Sequence, residues 1–135
     1  MKQLSIRTDR QEEFVDVTAL VAETVREWSS SAVLVYVPHT TAGVFINEHA
    51  DPDVARDIAS TLRHMVPEGL PYRHGEGNSP AHVKAVLVGN SQMIPLENGR
   101  LGLGTWQGIF FAEFDGPRRR TLIVAPLAEL PRDAP

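Results

Sequence analysis

Five histidines and no cysteine set the chemistry open to this 135-residue chain. Without thiols there is no disulfide framework, thiolate nucleophile, iron–sulfur cluster or cysteine zinc knot, so a metal site has to rest on His, Asp and Glu. His39 follows an apolar run in VPHTTAG, and His49 follows the next one in NEHADPD. His74 lies in a glycine-rich stretch, and His82 stands near the start of SPAHVKAVLVG. His64 shares the polar side of its segment with Asp57, Ser60 and Thr61 and is read as solvated. A lone histidine at the end of an element is more often hydrogen-bonded or solvated than functional. Several of them, beside Asn47, Glu48, Glu76 and Asn78, can converge at one edge of a sheet.

Two chemistries suit that cluster. Imidazoles with an oxygen or water fit zinc or another borderline divalent ion, although no pair has the i, i+4 spacing of HExxH. The alternative is an anion site. A helix opening at Ser79-Pro80 presents free N–H groups and the positive end of its dipole to phosphate. Thr40, Thr41 and Thr105 can add hydroxyl donors. Arg118, Arg119 and Arg120 are adjacent cations, of which at most two can share one side of a strand. Near a helix start His82 is biased towards its neutral form, which suits a ligand or proton acceptor. GLGTWQG does not match GxGxxG between a strand and a helix, because apolar strand residues follow it, so a dinucleotide fingerprint is excluded. Trp106 can stack on an aromatic ligand, or serve a core or a subunit contact. Glu113, alternating with phenylalanines in WQGIFFAEF, calls for a cation, and Arg118 or Arg120 is the expected structural partner.

The elements that must position these residues follow from pattern. KQLSIRT alternates as an edge strand, and EFVDV can pair with it across the polar turn at residues 9–12. Val17, Leu20, Val21, Val25 and Trp28 recur at helical spacing, with Asp16 or Thr18 as cap and the serines at 29–31 as the stop. Residues 32–37 form a buried central strand, and GVFINE forms another. Asp51 caps a second helix that opens on Pro52 and carries a stripe of Val54, Ile58, Leu62 and Met65. Nine of the ten glycines then lie between Gly69 and Gly116. Residues 79–88 read as a third, short helix with Ser79 as cap and Gly89 just past its end. Asn98-Gly99 predicts a type I′ hairpin, with Pro95 at an edge or bulge. Asp115-Gly116-Pro117 predicts a second hairpin, and the tail LAELPRDAP is expected to fray. The result is one α+β domain over residues 1–135. It is a β-sandwich of mostly antiparallel strands with two or three covering helices, in the order ββαββα(α)βββ.

Composition narrows the partners. The formal net charge is −4, against the basic excess of a nucleic-acid binder, so none is expected. Eleven of the 13 cations are Arg. Residues 1–68 hold 6 basic and 11 acidic groups, residues 69–135 hold 7 and 6, and an anion therefore belongs in the second half. No apolar run nears the roughly 20 residues of a membrane span, and the N-terminus lacks a signal-peptide core, so no membrane partner and a cytoplasmic location are expected.

Three stretches, HTTAGVFINEHADPDVARD, YRHGEGNSPAHVKAVLVG and LGLGTWQGIFFAEFDGPRRR, together resemble the YjbQ-like family, often described as secondary thiamine-phosphate synthases. With the strands between them they cover nearly the whole chain. The resemblance implies a homotrimer and a polar pocket near subunit boundaries. That pocket uses His39, His74 and His82 with Asn47 and Glu48. His49 stands where the family usually has Asn and receives no ligand role. On this reading His39, Glu48 and His82 are catalytic, and His39, His74 and His82 bind a divalent metal, zinc or magnesium. The substrate contacts are Thr40, Thr41, Asn47, Asn78, Ser79, Thr105, Trp106, Arg118 and Arg120. The implied reaction joins a pyrimidine diphosphate to a thiazole phosphate and expels pyrophosphate, with Trp106 or Tyr72 against a ring. Magnesium prefers oxygen ligands, whereas a histidine cluster suits zinc. Two other readings stay open: a hydrolase in which a His-bound metal activates water, and a non-catalytic trimeric module for an anion or metal. The partner is in each case a phosphorylated small molecule, an inorganic anion or a metal, and no organic cofactor is expected.

Overall fold

The computed structural model describes residues 1–129. Two antiparallel sheets face each other. The larger has the order β1 (Lys2–Arg7), β8 (Arg119–Leu127), β3 (Ala32–Tyr36), β5 (Ser91–Glu97), β6 (Arg100–Leu101). The smaller has the order β2 (Glu13–Asp16), β7 (Gln107–Glu113), β4 (Ala42–Glu48). Helices α1 (Thr18–Val25), α2 (Pro52–Met65) and α3 (Ser79–Val88) complete an α+β fold. Between the sheets lies a core that includes Ile6, Val33, Val35 and Val124 from one side and Val44, Ile109 and Phe111 from the other. Alternation along a strand sends the next residues outward, and a second cluster forms there from Ala81, Ala85, Ala112 and Phe114, with Phe14, Phe45, Leu62 and Val88 against it. The smaller sheet is thus buried on both faces, by its partner sheet and by α2 and α3. None of the described helices is long and apolar enough to cross a membrane.

Two expected hairpins are not hairpins. Strand β1 pairs with β8 and β2 with β7, so the polar residues after β1 carry the chain from one sheet to the other. The reason is burial: Ile6 with Leu4 beside it, and Val15, reach the same core from opposite sides. Likewise β7 and β8 lie in different sheets, and residues 114–118 form a corner between them. The expected closing run of adjacent strands is accordingly divided between the sheets. By contrast, Asn98 and Gly99 both take positive φ (52° and 75°), as a type I′ turn requires. Pro95 is tolerated inside the larger sheet because β6 pairs only with Leu96 and Glu97.

The helix ends also differ in detail. Asp51 caps α2 by accepting from Asp53 N at 2.9 Å, as its sequence requires. Helix α1 stops at Val25, before the serines, and Val17 is its N-cap. Asp16 still satisfies its first turn, accepting from Thr18 N at 3.0 Å and from Thr18 Oγ1 at 2.6 Å. Asn78, not Ser79, is the N-cap of α3, and neither makes a side-chain cap bond. In α2 the stripe residues Val54, Ile58 and Leu62 are only half-buried and Met65 is exposed. The expected fraying of the tail concerns residues that, from 130 onward, lie outside those described.

Candidate functional site

A cavity of about 480 Å³ opens where the β3–β4 turn, the loop before α3, the first turn of α3 and the β7–β8 corner meet. Its walls carry His39, Thr40 and Thr41 from the turn, His74, Glu76 and Asn78 from the loop, His82 from α3, and Asp115, Arg118 and Arg120 from the corner. The corner positions the guanidiniums. Alternation along the start of β8 sends Arg118 and Arg120 to the cavity, while Arg119 turns away towards Ser5.

Arg120 is held by a buried network. Its Nε donates to both Glu113 oxygens (2.9 and 3.1 Å), and Nη2 donates to Glu113 Oε2 and to Thr41 Oγ1 at 2.8 Å. Glu113 is wholly buried and also accepts from Thr8 Oγ1 at 2.8 Å and Asp115 N at 3.1 Å. Burial pushes this carboxyl up, but the Arg120, Thr8 and Asp115 donors together outweigh it and hold it below the ordinary glutamate value. The expected Glu113 partner is therefore Arg120, bonded across a sheet-to-sheet corner. Nη1 of Arg120 makes none of these bonds, and the residue lines the cavity. A buried, doubly anchored guanidinium with one free nitrogen is a preorganised donor for an oxyanion.

His39 is fixed with equal economy. Thr121 N donates to its Nε2 at 2.9 Å, so the neutral ring carries its proton on Nδ1. Burial and the nearby Arg120 charge depress its pKa below 6.5. A metal ligand needs a free lone pair. Neither ring nitrogen of His39 offers one in this arrangement, and Nδ1 is a donor. His74 and His82 remain, with ring centroids 5.4 Å apart at right angles, and Glu76 Oε2 lies 4.0 Å from His74 Nε2. Among the described residues no group of three or more His, Asp or Glu is placed to hold a metal ion. The His39–His74–His82 triad thus shares one cavity, but does not fit a metal as a ligand set.

The other expected site residues lie elsewhere. Strand β4 leaves the cavity at Ala42 and reaches Asn47 about 17 Å and Glu48 about 20 Å further on, at roughly 3.3 Å per residue. Glu48 is paired with Gln107, which brings Thr105 and Trp106 to that same far end. There His49 Nδ1 meets Asp16 Oδ2 at 2.9 Å, and the His49 ring lies so close over Gly108 that no Cβ could be added. Ser79 does not line the cavity. Sequence reasoning omitted Asp115, whose Oδ2 accepts from Asn78 Nδ2 at 2.9 Å and Arg118 Nη2 at 3.4 Å. The turn residues Asp-Gly-Pro ahead of three arginines were its one available signal. A second cavity of about 430 Å³ shares His39, Thr40 and His82 and runs along α3 to Ala85, Val86 and Gly89.

The family profile described as UPF0047 protein YjbQ-like matches residues 2–129. The chain is similar to the UPF0047 protein MJ1081 of Methanocaldococcus jannaschii, 51% identical over 121 residues that cover 88% of each chain. It is also similar to the UPF0047 protein YugU of Bacillus subtilis, with 50% identity over 92% of this chain and 96% of that one. A crystal structure of a YjbQ/UPF0047 family protein from Clostridium acetobutylicum superposes with a TM-score of 0.90 at 50% identity, covering 94% of this chain and all of the other. A conserved hypothetical protein, TT1486 from Thermus thermophilus, gives 0.89 at 42% identity over 94% and 100%.

Proposed function

This chain belongs to the UPF0047 YjbQ-like family, and from that footing we propose that it is a cytoplasmic homotrimeric enzyme acting on a phosphorylated small molecule held in the His39–Arg120 cavity. The observation that carries the reading is that one cavity is lined by His39, whose Nε2 already accepts from Thr121 N–H so that Nδ1–H is left to donate, by Arg120, fixed on Glu113, and by Arg118. Fixed donors aimed at one place bind an oxyanion without reorganising when it arrives. Secondary thiamine-phosphate synthase activity is the transferase chemistry that the family resemblance implies. In that reaction the phosphoryl or pyrophosphoryl oxygens lie against these donors, and His82, in the same cavity, is placed to exchange a proton. The residues at the far end of β4 join the same site only across a subunit boundary. We assign Asn47, Glu48, Thr105 and Trp106 to a neighbour's cavity, next to the less polar cleft along α3.

The donor geometry favours this reading over the metal-dependent hydrolase, because His39 has no lone pair to give. Titration calorimetry with inorganic phosphate tests it. Wild type is expected to bind, and Arg118→Ala, at a half-exposed side chain, to bind about tenfold or more weakly, as loss of a charge-assisted hydrogen bond predicts. Growth of a thiamine-requiring strain on this chain, lost on His82→Ala, is the matching activity readout. Absence of phosphate binding by the wild type would refute the reading.

A further inference from the structure

The cavity that this reading fills with a phosphoryl group is not a basic basin. Its walls carry Arg118 and Arg120 against Asp115 and Glu76, a formal balance of zero before any imidazole is protonated, and buried Glu113 neutralises Arg120 from behind. Affinity must then come from directed hydrogen bonds, and directed bonds discriminate by whether the ligand group can donate as well as accept. Asp115 is the residue that asks this question. Its Oδ2 is occupied by Asn78 and Arg118, while Oδ1 makes no hydrogen bond among the described residues. The side chain is 24% exposed and lines the cavity, so solvent screens it far less than Glu76, at 75%. Two ties orient its carboxylate, Asn78 Nδ2 and the Arg118 guanidinium, while its backbone N–H is anchored on Glu113.

Resting on the proposed anion site, we infer that Asp115 is a specificity residue that selects a phosphoryl ligand carrying its own hydrogen-bond donor and rejects fully ionised oxyanions. His39 and Arg120 bind the ionised oxygens, and Asp115 Oδ1 accepts from a P–O–H, or from a hydroxyl or amine elsewhere on the same ligand. Hydrogenphosphate satisfies both walls. Sulfate places a bare oxygen against the carboxylate, leaving two acceptors facing each other with no proton between them. A phosphate monoester, whose second ionisation lies near pH 6, binds at neutral pH only if its organic part supplies the donor.

Competing inorganic phosphate and sulfate at pH 7 and constant ionic strength, by calorimetry, separates the possibilities. Wild type is expected to prefer phosphate by about tenfold or more, the scale of one hydrogen bond to a charged group. Asp115→Asn keeps the shape and removes the charge, so sulfate should gain, phosphate should lose, and the ratio should fall to within about threefold. Glu76→Gln should leave the ratio unchanged. Methyl phosphate at pH 8, ionised and without a donor, gives a readout on unmodified protein and should behave as sulfate does. Equal binding of phosphate and sulfate by wild type, or an unchanged ratio in Asp115→Asn, overturns this inference and leaves the anion site standing. Binding of neither anion overturns both.

Discussion

At the scale of single residues, the geometry turns His39 from an expected metal ligand into a donor, and that change has a pH signature. Burial and Arg120 lower the pKa of the ring against the opposing Glu113 charge, and Thr121 N–H occupies the Nε2 lone pair, so the folded chain refuses a proton that the unfolded chain accepts near pH 6.5. A depressed histidine pKa contributes stability that is fully present above 6.5 and is lost as pH falls towards the lowered value. Glu113 and Asp16 are depressed from 4.5 and 3.8, and their contributions are likewise present above those values and lost below them, in a separate and more acid window. Asp16 reaches that position because the Thr18 bonds and His49 outweigh the opposing effect of burial. Urea unfolding between pH 7 and 5 should therefore show a loss that His39→Gln removes. The glutamine carbonyl can still accept from Thr121 N–H and cannot ionise. The loss below pH 4.5 should persist in the variant, and an identical pH profile in both proteins over pH 7–5 would show that His39 is not held neutral.

At the scale of elements, the cavity depends on how closely α3 approaches β4. Gly43 makes that approach possible: a Cβ there would stand 2.5 Å from Gly89 O and 3.0 Å from Val88 Cγ1. Gly43→Ala should push the C-terminal end of α3 off the sheet, destabilise the fold by about 1–3 kcal/mol as overpacking does, and weaken phosphate binding by shifting the start of β4, which follows the turn that carries His39. Chemical denaturation with a phosphate titration checks both effects, and a variant as stable as wild type would show that the contact relaxes freely. Such contacts also explain what the sequence made legible. The Asp51-Pro52 start, the Asn98-Gly99 turn and the third helix are local signals, each settled by a few adjacent residues, and each is found. Pairing across the sandwich is not local. Leu4, Ile6 and Val15 state that two strands are half-buried, but the same alternation serves a hairpin or two opposed sheets equally well. The site follows the same division. His39, His74, His82 and the arginines were readable from type and position, whereas the Arg120–Glu113 link and the Thr121 bond that fixes the His39 tautomer exist only after the corner closes. Asp115 stood in a sequence that signalled a turn and concealed an acceptor.

At the scale of the whole molecule, the single chain leaves apolar surface without a partner. Val83, Val86 and Leu87 are 40%, 81% and 53% exposed at i, i+3, i+4 spacing, one outward stripe of α3. That stripe borders the second cavity, which shares His39 and His82 with the first. Trp106, 63% exposed, stands at the opposite end of β4. Two different surfaces that meet make a head-to-tail contact, which gives a ring when the rotation between copies closes and not a two-fold dimer. A trimer in which one copy's Trp106 end meets the next copy's α3 stripe would cover both and would place Asn47 and Glu48 beside a cavity they cannot reach within their own chain. Val86→Asp tests this at a position where a monomer would scarcely register the change, since substitutions at so exposed a site usually shift stability by no more than about 0.5 kcal/mol. Light scattering should give three chains for wild type and one for the variant, with the isolated chain still folded. Mixing His82→Ala with Trp106→Ala chains should then restore part of the activity that each lacks alone, because some boundaries would pair an intact cavity with an intact edge. A single-chain mass for wild type, or mixed chains as inactive as either parent, would place the site within one copy.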